Sequence, residues 1–473
     1  MKTLRIIVVI IFLLMIFLPL VTLNVEPQVE SSIDNRMLAE NPFKAGRKKQ
    51  PNEKLNENIE NYIKDRIGFR DRMICWNNVI NDRLFHKMVH PTYDYGKDGY
   101  IFFKYEQPPE FSDYHIAFAD MILNVQNYCH ERNVPFVFVF NPEKITIYPE
   151  YIPDGVTYHS TWEEDFLHEL DIRDINYIDN TSLMLAKKEN GEQVFNRKYN
   201  AGHWNDLGAY YGVNNIIQNL QQFFPDLTLN QKEDFNITTI HQDTLMVSQF
   251  PISEDEPCFL YKGKIQELTS LYEQELKTDP QYPFFYYTYN KEKDIPGNPK
   301  ILSFQGSYMN GMGHKFMSSA FSEYIAVHDY QNIINFPYYF NLFQPDCVVF
   351  EVAEYTLNSN YFDYSNMQSI YWNPTLHDYT LGNTDEIHLL NWETGVSVEK
   401  GDEFTVIQWD SEIPYDYVWF WTGHEFDMAE IDKTRNIYEV TVPNDFLDDY
   451  DAEKYILAGA DGLIYPYEIT YIQ

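Results

Sequence analysis

The chain has 473 residues, with 71 Asp plus Glu against 35 Lys plus Arg and a formal net charge of −36. So acidic an exterior argues against a nucleic-acid partner, whose backbone carries the same sign. It gives no support to a strongly anionic substrate either, unless basic side chains cluster locally.

Lys2 and Arg5 precede an uncharged apolar run over residues 6–23, and Glu26, Glu30 and Asp34 follow it. The run has the length of a bilayer-spanning helix. Its basic flank predicts a cytoplasmic N-terminus and an extracytoplasmic bulk. A cleaved signal peptide is the competing reading, but Val21-Thr22-Leu23-Asn24 is a poor cleavage site. Residues 1–24 are therefore expected to be a single-pass anchor in the cell membrane, and export holds on either reading. Residues 25–94 begin with a polar spacer containing Arg47-Lys48-Lys49. Helical spacing follows in Leu55, Ile59, Ile63 and Ile67, then in Met73, Trp76, Ile80 and Leu84. Gly68 divides or kinks this segment.

Residues 95–385 change to short apolar strands between helical stretches. Strands are predicted at 134–140, ending in Asn141-Pro142, at 175–178, followed by Asp179-Asn180, and at 301–304, 324–327 and 347–352. Such runs alternating with helices imply an α/β fold, a mostly parallel sheet flanked by helices. Sites in these folds lie beyond the carboxyl ends of the strands, where Asn141 and Ser307 both fall. Residues 225–300 break the alternation and read as an insertion. Residues 386–473 show short strands separated by turns such as Lys400-Gly401-Asp402 and Asp461-Gly462, the pattern of a small all-β sandwich-like domain. On it Trp409, Trp419 and Trp421 are candidate sugar platforms, with core packing an equal alternative for each. The four cysteines, Cys75, Cys129, Cys258 and Cys347, form no CxxC, and no histidine shows metal-ligand spacing. Neither a metal nor a cofactor is expected.

Two stretches carry the chemistry. His203 lies in Asn200-Ala201-Gly202-His203-Trp204-Asn205-Asp206, just ahead of a predicted helix starting near Asn205 or Asp206. Leu207, Tyr211, Asn214, Ile217 and Leu220 form one face of that helix. The helix's positive end favours a neutral, basic imidazole; a capping or packing histidine is the plainer alternative. Ser307 lies in Phe304-Gln305-Gly306-Ser307-Tyr308, where a strand turns into a helix expected to bear Phe316, Ala320 and Tyr324. Such a serine is exposed beside unpaired helix N–H groups, and Asn310 is a candidate oxyanion donor. An ordinary turn serine remains the alternative. Together the two stretches suggest the base and nucleophile of acyl transfer.

Four blocks resemble the SGNH-hydrolase-like family of extracytoplasmic polysaccharide O-acetyltransferases, typified by the periplasmic alginate acetylation proteins. They are also similar to the membrane-anchored family named for an Asp-His-His-Trp motif. The blocks are Tyr62-Ile63-Lys64-Asp65-Arg66 running on to Gly99-Tyr100-Ile101-Phe102-Phe103, Pro142-Glu143-Lys144-Ile145, His203-Trp204-Asn205 with Gly208-Ala209, and Gly306-Ser307-Tyr308 followed by Asp346-Cys347-Val348-Val349-Phe350-Glu351. The resemblance implies Ser307 as nucleophile and His203 as general base. It further implies acetyl transfer to a cell-surface or secreted polysaccharide, with a membrane-bound O-acyltransferase as donor. The downstream β-rich region resembles the carbohydrate-binding module of one alginate member. Two positions depart from the family pattern. Ala201 stands where an aspartate usually precedes the histidine by two, and Gly306 where Asp or Thr often precedes the serine. Asn200, Asp206 or Asp179 are the candidates to replace the acid, and a Ser307–His203 dyad is the other route. A catalytically degenerate glycan-binding or scaffold protein of envelope assembly is the alternative reading.

Overall fold

Residues 136–141 set the layering. Phe136, Phe138 and Phe140 point to one side of their strand while Val137 and Val139 point to the other, and all are buried. A strand apolar on both faces needs cover on both faces.

The computed structural model describes residues 2–26, 38–39, 41–42, 55–90, 92–104, 110–156, 158, 161–245, 250–271, 285–330, 332–369, 397–401, 404–410, 417–421, 426–429, 432–434, 437–443, 455–460 and 463–468. Helices α1 (Lys2–Val21), α2 (Leu55–Arg66) and α3 (Arg70–Phe85) come first, with Gly68 in the break between the last two. A hairpin of β1 (Tyr93–Tyr95) and β2 (Ile101–Phe103) follows. Next come α4 (Asp113–Glu131), β3 (Phe136–Asn141), the single turn α5 (Lys144–Ile147), α6 (Trp162–Ile172), β4 (Tyr177–Asp179), α7 (Thr181–Glu189) and α8 (Asp206–Leu220). A long ribbon of β5 (Phe235–Thr244) and β6 (Pro251–Tyr261) leads to β7 (Gln266–Glu267) and β8 (Phe285–Tyr289). The rest of the α/β unit is β9 (Lys300–Gln305), α9 (His314–Ala320), β10 (Glu323–His328), α10 (Phe336–Phe343), β11 (Cys347–Ala353) and α11 (Tyr364–Ser369).

Seven strands form one sheet in the order β4-β3-β11-β9-β10-β8-β7. The first five run parallel. The last two are antiparallel, so the sheet is mixed rather than uniformly parallel. Their source is the stretch read as an insertion: β7 and β8 complete an edge of the sheet, and only the β5–β6 ribbon stands apart as its own pair. One buried cluster joins Phe138, Phe304 and Phe350 to side chains of α4, α6 and α10. The other joins Val139, Val349 and Ile301 to α8 and α9. Burial of these two faces from water is the main force holding the unit together.

Two local expectations change. The helix after Ser307 ends at Ala320, so Tyr324 lies on β10 instead. The buried stripe of α8 is Ala209, Val213, Ile216, Ile217 and Leu220, with Leu207 and Tyr211 only half-buried. Gly208 and Gly212 explain that rotation. A Cβ on Gly208 would meet the Val194 carbonyl at 2.4 Å, and one on Gly212 the Trp204 ring at 2.3 Å. The helix therefore seats its glycine side against the loop before it.

Cys129, Cys258 and Cys347 are free thiols, with Cys129 and Cys347 buried. With the side chains of residues 1–4 and 15–16 outside the described set, no helix among the described residues is long and apolar enough to cross a membrane.

Beyond α11, residues 370–396 lie outside the described residues, as does the expected domain boundary near 386. Eight further strands follow: β12 (Ser397–Lys400), β13 (Phe404–Asp410), β14 (Tyr417–Trp421), β15 (Phe426–Ala429), β16 (Asp432–Thr434), β17 (Ile437–Pro443), β18 (Tyr455–Ala460) and β19 (Leu463–Glu468). They form two four-stranded antiparallel sheets, ordered β12-β13-β17-β16 and β15-β14-β18-β19. Trp409 is on β13, and Trp419 and Trp421 are on β14; their side chains lie outside the described residues.

Candidate active site

Strand β9 ends at Gln305, and the chain turns at Gly306-Ser307 into a short π-helical stretch (Met309–Gly313) before α9. π turns recur at functional sites. The Gly306 N–H donates to Glu351 Oε2 at 2.9 Å, which fixes the start of the turn from β11 next door. Glu351 Oε1 accepts from Asn141 Nδ2 at 2.6 Å, Asn141 from Asn180 at 2.7 Å, and Asn180 from Asn215 at 2.9 Å. A one-way chain of amides thus ends on a buried carboxyl beneath the serine. Burial raises that carboxyl to about 7.

His203 arrives from 104 residues upstream. Its loop is set by Asn205, whose side chain caps α8 by accepting from Leu207 N at 3.0 Å and Gly208 N at 3.1 Å. Two cross-links then tie the histidine loop to the serine turn. Trp204 Nε1 donates to the Tyr308 carbonyl at 3.0 Å. The Tyr308 hydroxyl lies 2.6 Å from the Gly202 carbonyl and 2.9 Å from that of Pro142. Phe103 of β2 closes the roof; a Cβ on Gly202 would sit 1.9 Å from its ring.

The result is a short chain of contacts. His203 Nε2 lies 2.6 Å from Ser307 Oγ, and His203 Nδ1 lies 2.6 Å from Asn200 Oδ1. Asn200 holds a left-handed backbone at φ 54°, which asparagine tolerates better than most residues. Because the amide oxygen faces Nδ1, that nitrogen carries the proton and Nε2 keeps its lone pair toward the serine. The rings of Tyr308, Tyr355 and Phe103 surround the imidazole at 5.0, 6.1 and 6.4 Å. Their enclosure lowers its pKa to about 4 by desolvation, so the ring is neutral at ordinary pH and its Nε2 lone pair is free to accept a proton.

Tyr355, just past β11, was not singled out from sequence. Its hydroxyl lies 2.8 Å from Ser307 Oγ and 3.4 Å from His203 Nε2. Burial pushes the phenol well up, keeping it a donor. The parallel pairing of Phe350 with Phe304 brings it there; neither spacing nor composition signals the contact.

Of the proposed acids, only Asn200 reaches the imidazole. Asp206 instead pairs with Lys315 Nζ at 2.8 Å and accepts from Phe259 N at 2.8 Å. Asp179 Oδ1 accepts from Thr181 N at 2.8 Å, at the start of α7. Asn310 Oδ1 accepts from Gln305 Nε2 at 2.7 Å, which leaves its buried Nδ2 without a hydrogen-bond partner among the described residues.

Residues 94–256 match the family model described as the SGNH hydrolase-like domain of the acetyltransferase AlgX. No curated protein matches the chain in sequence. Among solved structures, PatB1 of Bacillus cereus is 14% identical at a TM-score of 0.45, over 57% of this chain and 98% of its own. A DHHW family protein of Eubacterium siraeum is 12% identical at 0.41, over 59% and 98%. The O-acetyltransferase domain of Pseudomonas putida AlgJ is 15% identical at 0.41, over 59% and 99%.

Proposed function

We propose that the chain transfers acetyl groups to, or hydrolyses them from, hydroxyls of an extracytoplasmic polysaccharide through an acetyl-Ser307 intermediate. The observation that carries this reading is the 2.6 Å approach of a neutral His203 Nε2 to Ser307 Oγ. The match of residues 94–256 to an acetyltransferase family supports it.

In the first half-reaction, His203 Nε2 takes the Ser307 proton as Oγ attacks the acetyl carbonyl of the donor. Charge collects on the carbonyl oxygen. The Tyr355 hydroxyl, already at Oγ, is the side-chain donor for that charge; Asn310, whose amide oxygen is tied to Gln305, makes no contact with Ser307 among the described residues. The Nδ1–H held by Asn200 Oδ1 keeps the ring aimed while it is protonated. Collapse breaks the bond to the donor's leaving oxygen, which receives the proton from Nε2. In the second half-reaction, a sugar hydroxyl or water gives its proton to Nε2 as it attacks acetyl-serine; the acyl–Oγ bond then breaks and Nε2 returns the proton to Oγ, which regenerates Ser307 and releases the acetylated sugar or acetate.

The uncharged run over residues 6–23, helical through Val21 for about 24 Å at 1.5 Å per residue, would anchor the chain with its bulk outside. A membrane-bound O-acyltransferase would then supply acetyl groups from the other side. The β-rich region would hold glycan on Trp409, Trp419 or Trp421. Ala201 favours a second reading, a glycan-binding scaffold with an inert site.

Acetate release from an acetylated glycan separates the two. The enzyme reading requires turnover that Ser307→Ala and His203→Ala each abolish. Glycan retention without turnover, equal in wild type and both variants, would establish the scaffold instead.

A further inference from the structure

Among the described residues, helix α3 carries an apolar stripe that no other element covers. Met73, Trp76, Ile80 and Leu84 are 44%, 68%, 54% and 68% exposed, and Phe85 at its end is 69% exposed. At roughly 100° per residue, the four lie within about 80° of one another around the helix. Soluble surfaces rarely gather this much apolar area without an occupant.

The neighbourhood identifies that occupant. The turn before α3 is locked to the end of α1: Gly68 N donates to the Pro19 carbonyl at 2.9 Å, and Asn24 N to the Arg66 carbonyl at 2.8 Å. A Cβ on Gly68 would strike Thr22 Oγ1 at 1.8 Å, so the contact is close. Arg66 adds bonds to the carbonyls of Asn24, Glu26 and Ala39. Exposed apolar side chains of α1, such as Phe17 and Leu18, therefore lie just across that turn. Charge points the same way. In a chain of net charge −36, residues 64–87 carry Lys64, Arg66, Arg70, Arg72, Arg83 and Lys87 against Asp65, Asp71 and Asp82. Arg72 and Arg83 are exposed and fall on one flank of the stripe.

An apolar stripe with an aromatic ring and a basic flank is the pattern of a helix lying in the headgroup region of an anionic bilayer. We propose that α3 rests in the outer membrane–water interface beside α1, with Met73, Trp76, Ile80 and Leu84 sunk among the lipids. This rests on the anchor reading given above and deepens it: the enzyme body would be held at a fixed height and orientation instead of swinging on a tether.

The test uses the full-length chain in vesicles of equal parts phosphatidylcholine and phosphatidylglycerol, with and without bromine on the acyl chains near the glycerol. Subtracting the fluorescence of Trp76→Phe from that of wild type isolates one of the eight tryptophans. The chain should float with the vesicles, and the Trp76 signal should lose about half its intensity or more to bromine, as immersion at this depth requires. Combining Ile80→Glu with Leu84→Glu should restore most of that intensity while the chain still floats. Flotation with a Trp76 signal untouched by bromine overturns the inference and leaves the anchor standing. Failure to float, with Trp76 unquenched, overturns both. A blue-shifted Trp76 signal that ignores bromine and varies with protein concentration would mean that a second copy covers the stripe, which also overturns it.

Discussion

An amide can stand in for the acid of a serine–histidine pair only if its oxygen faces the imidazole. Asn200 meets that condition at 2.6 Å, so it can fix the tautomer and aim the ring, although it adds no charge. Asn200→Asp should therefore raise the His203 pKa from about 4, because a carboxylate favours the imidazolium. The acid limb of kcat/KM should move to higher pH, with kcat increasing on the order of tenfold; a limb that stays near pH 4 would show that Asn200 does not act on the ring. Tyr355→Phe removes the hydroxyl at Ser307 without changing the ring. It should lower kcat about 10²-fold with little change in KM, the signature of a donor used mainly in the transition state. Ser307 and His203 were legible in the sequence because each sits at a recognisable boundary, strand to helix or loop to helix. Tyr355 was not, since only the pairing of two distant strands brings it to the serine. Asn200 was one of three candidates, and its left-handed backbone, which turns the amide inward, is not written in composition.

The elements hold these groups through a few close contacts. Gly202 lies under Phe103 so tightly that Gly202→Ala must displace the β1–β2 hairpin or the histidine loop. It should cost about 1–3 kcal/mol in denaturant unfolding and lower activity along with stability. Glu351 carries the other side of the site by accepting from both Gly306 and Asn141. Glu351→Gln offers one oxygen in place of two, leaving one of those donors facing an NH2 group, at a cost of about 1–3 kcal/mol. The sign with pH is specific. The Glu351 pKa is raised to about 7, so its protonated form contributes stability below its ordinary carboxylate range, and that contribution is lost as pH rises toward 7. The stability gap between wild type and Glu351→Gln should shrink over that window, and a gap independent of pH would contradict the assignment. The strands themselves were readable from their apolar runs, with boundaries shifted by a residue or two. The antiparallel edge was not readable, because β7 and β8 come from a stretch whose irregular pattern looked like an insertion.

Taken whole, the molecule is an acidic body with a basic, apolar patch near its N-terminal helices. Net charge of −36 repels anionic glycans at a distance, and salt screens that repulsion. Transfer to an anionic polysaccharide should therefore speed up as salt is added, while transfer to a neutral one stays flat; the opposite order would place a local basic groove at the site. At this scale the apolar N-terminal run, the α/β unit and the β-rich end were legible as changes of texture. The sequence could not show that α3 leaves its apolar stripe exposed, since helical spacing alone does not say which face packs inward. All of the proposed chemistry reduces to a covalent step at one side chain. Brief mixing of the purified chain with 4-nitrophenyl acetate, acid quenching and peptide mass spectrometry reads that step directly. The account predicts one acetyl group on the peptide bearing Ser307, absent from Ser307→Ala and much reduced in His203→Ala. Wild-type protein that remains unacetylated there and releases nitrophenol no faster than Ser307→Ala would contradict it.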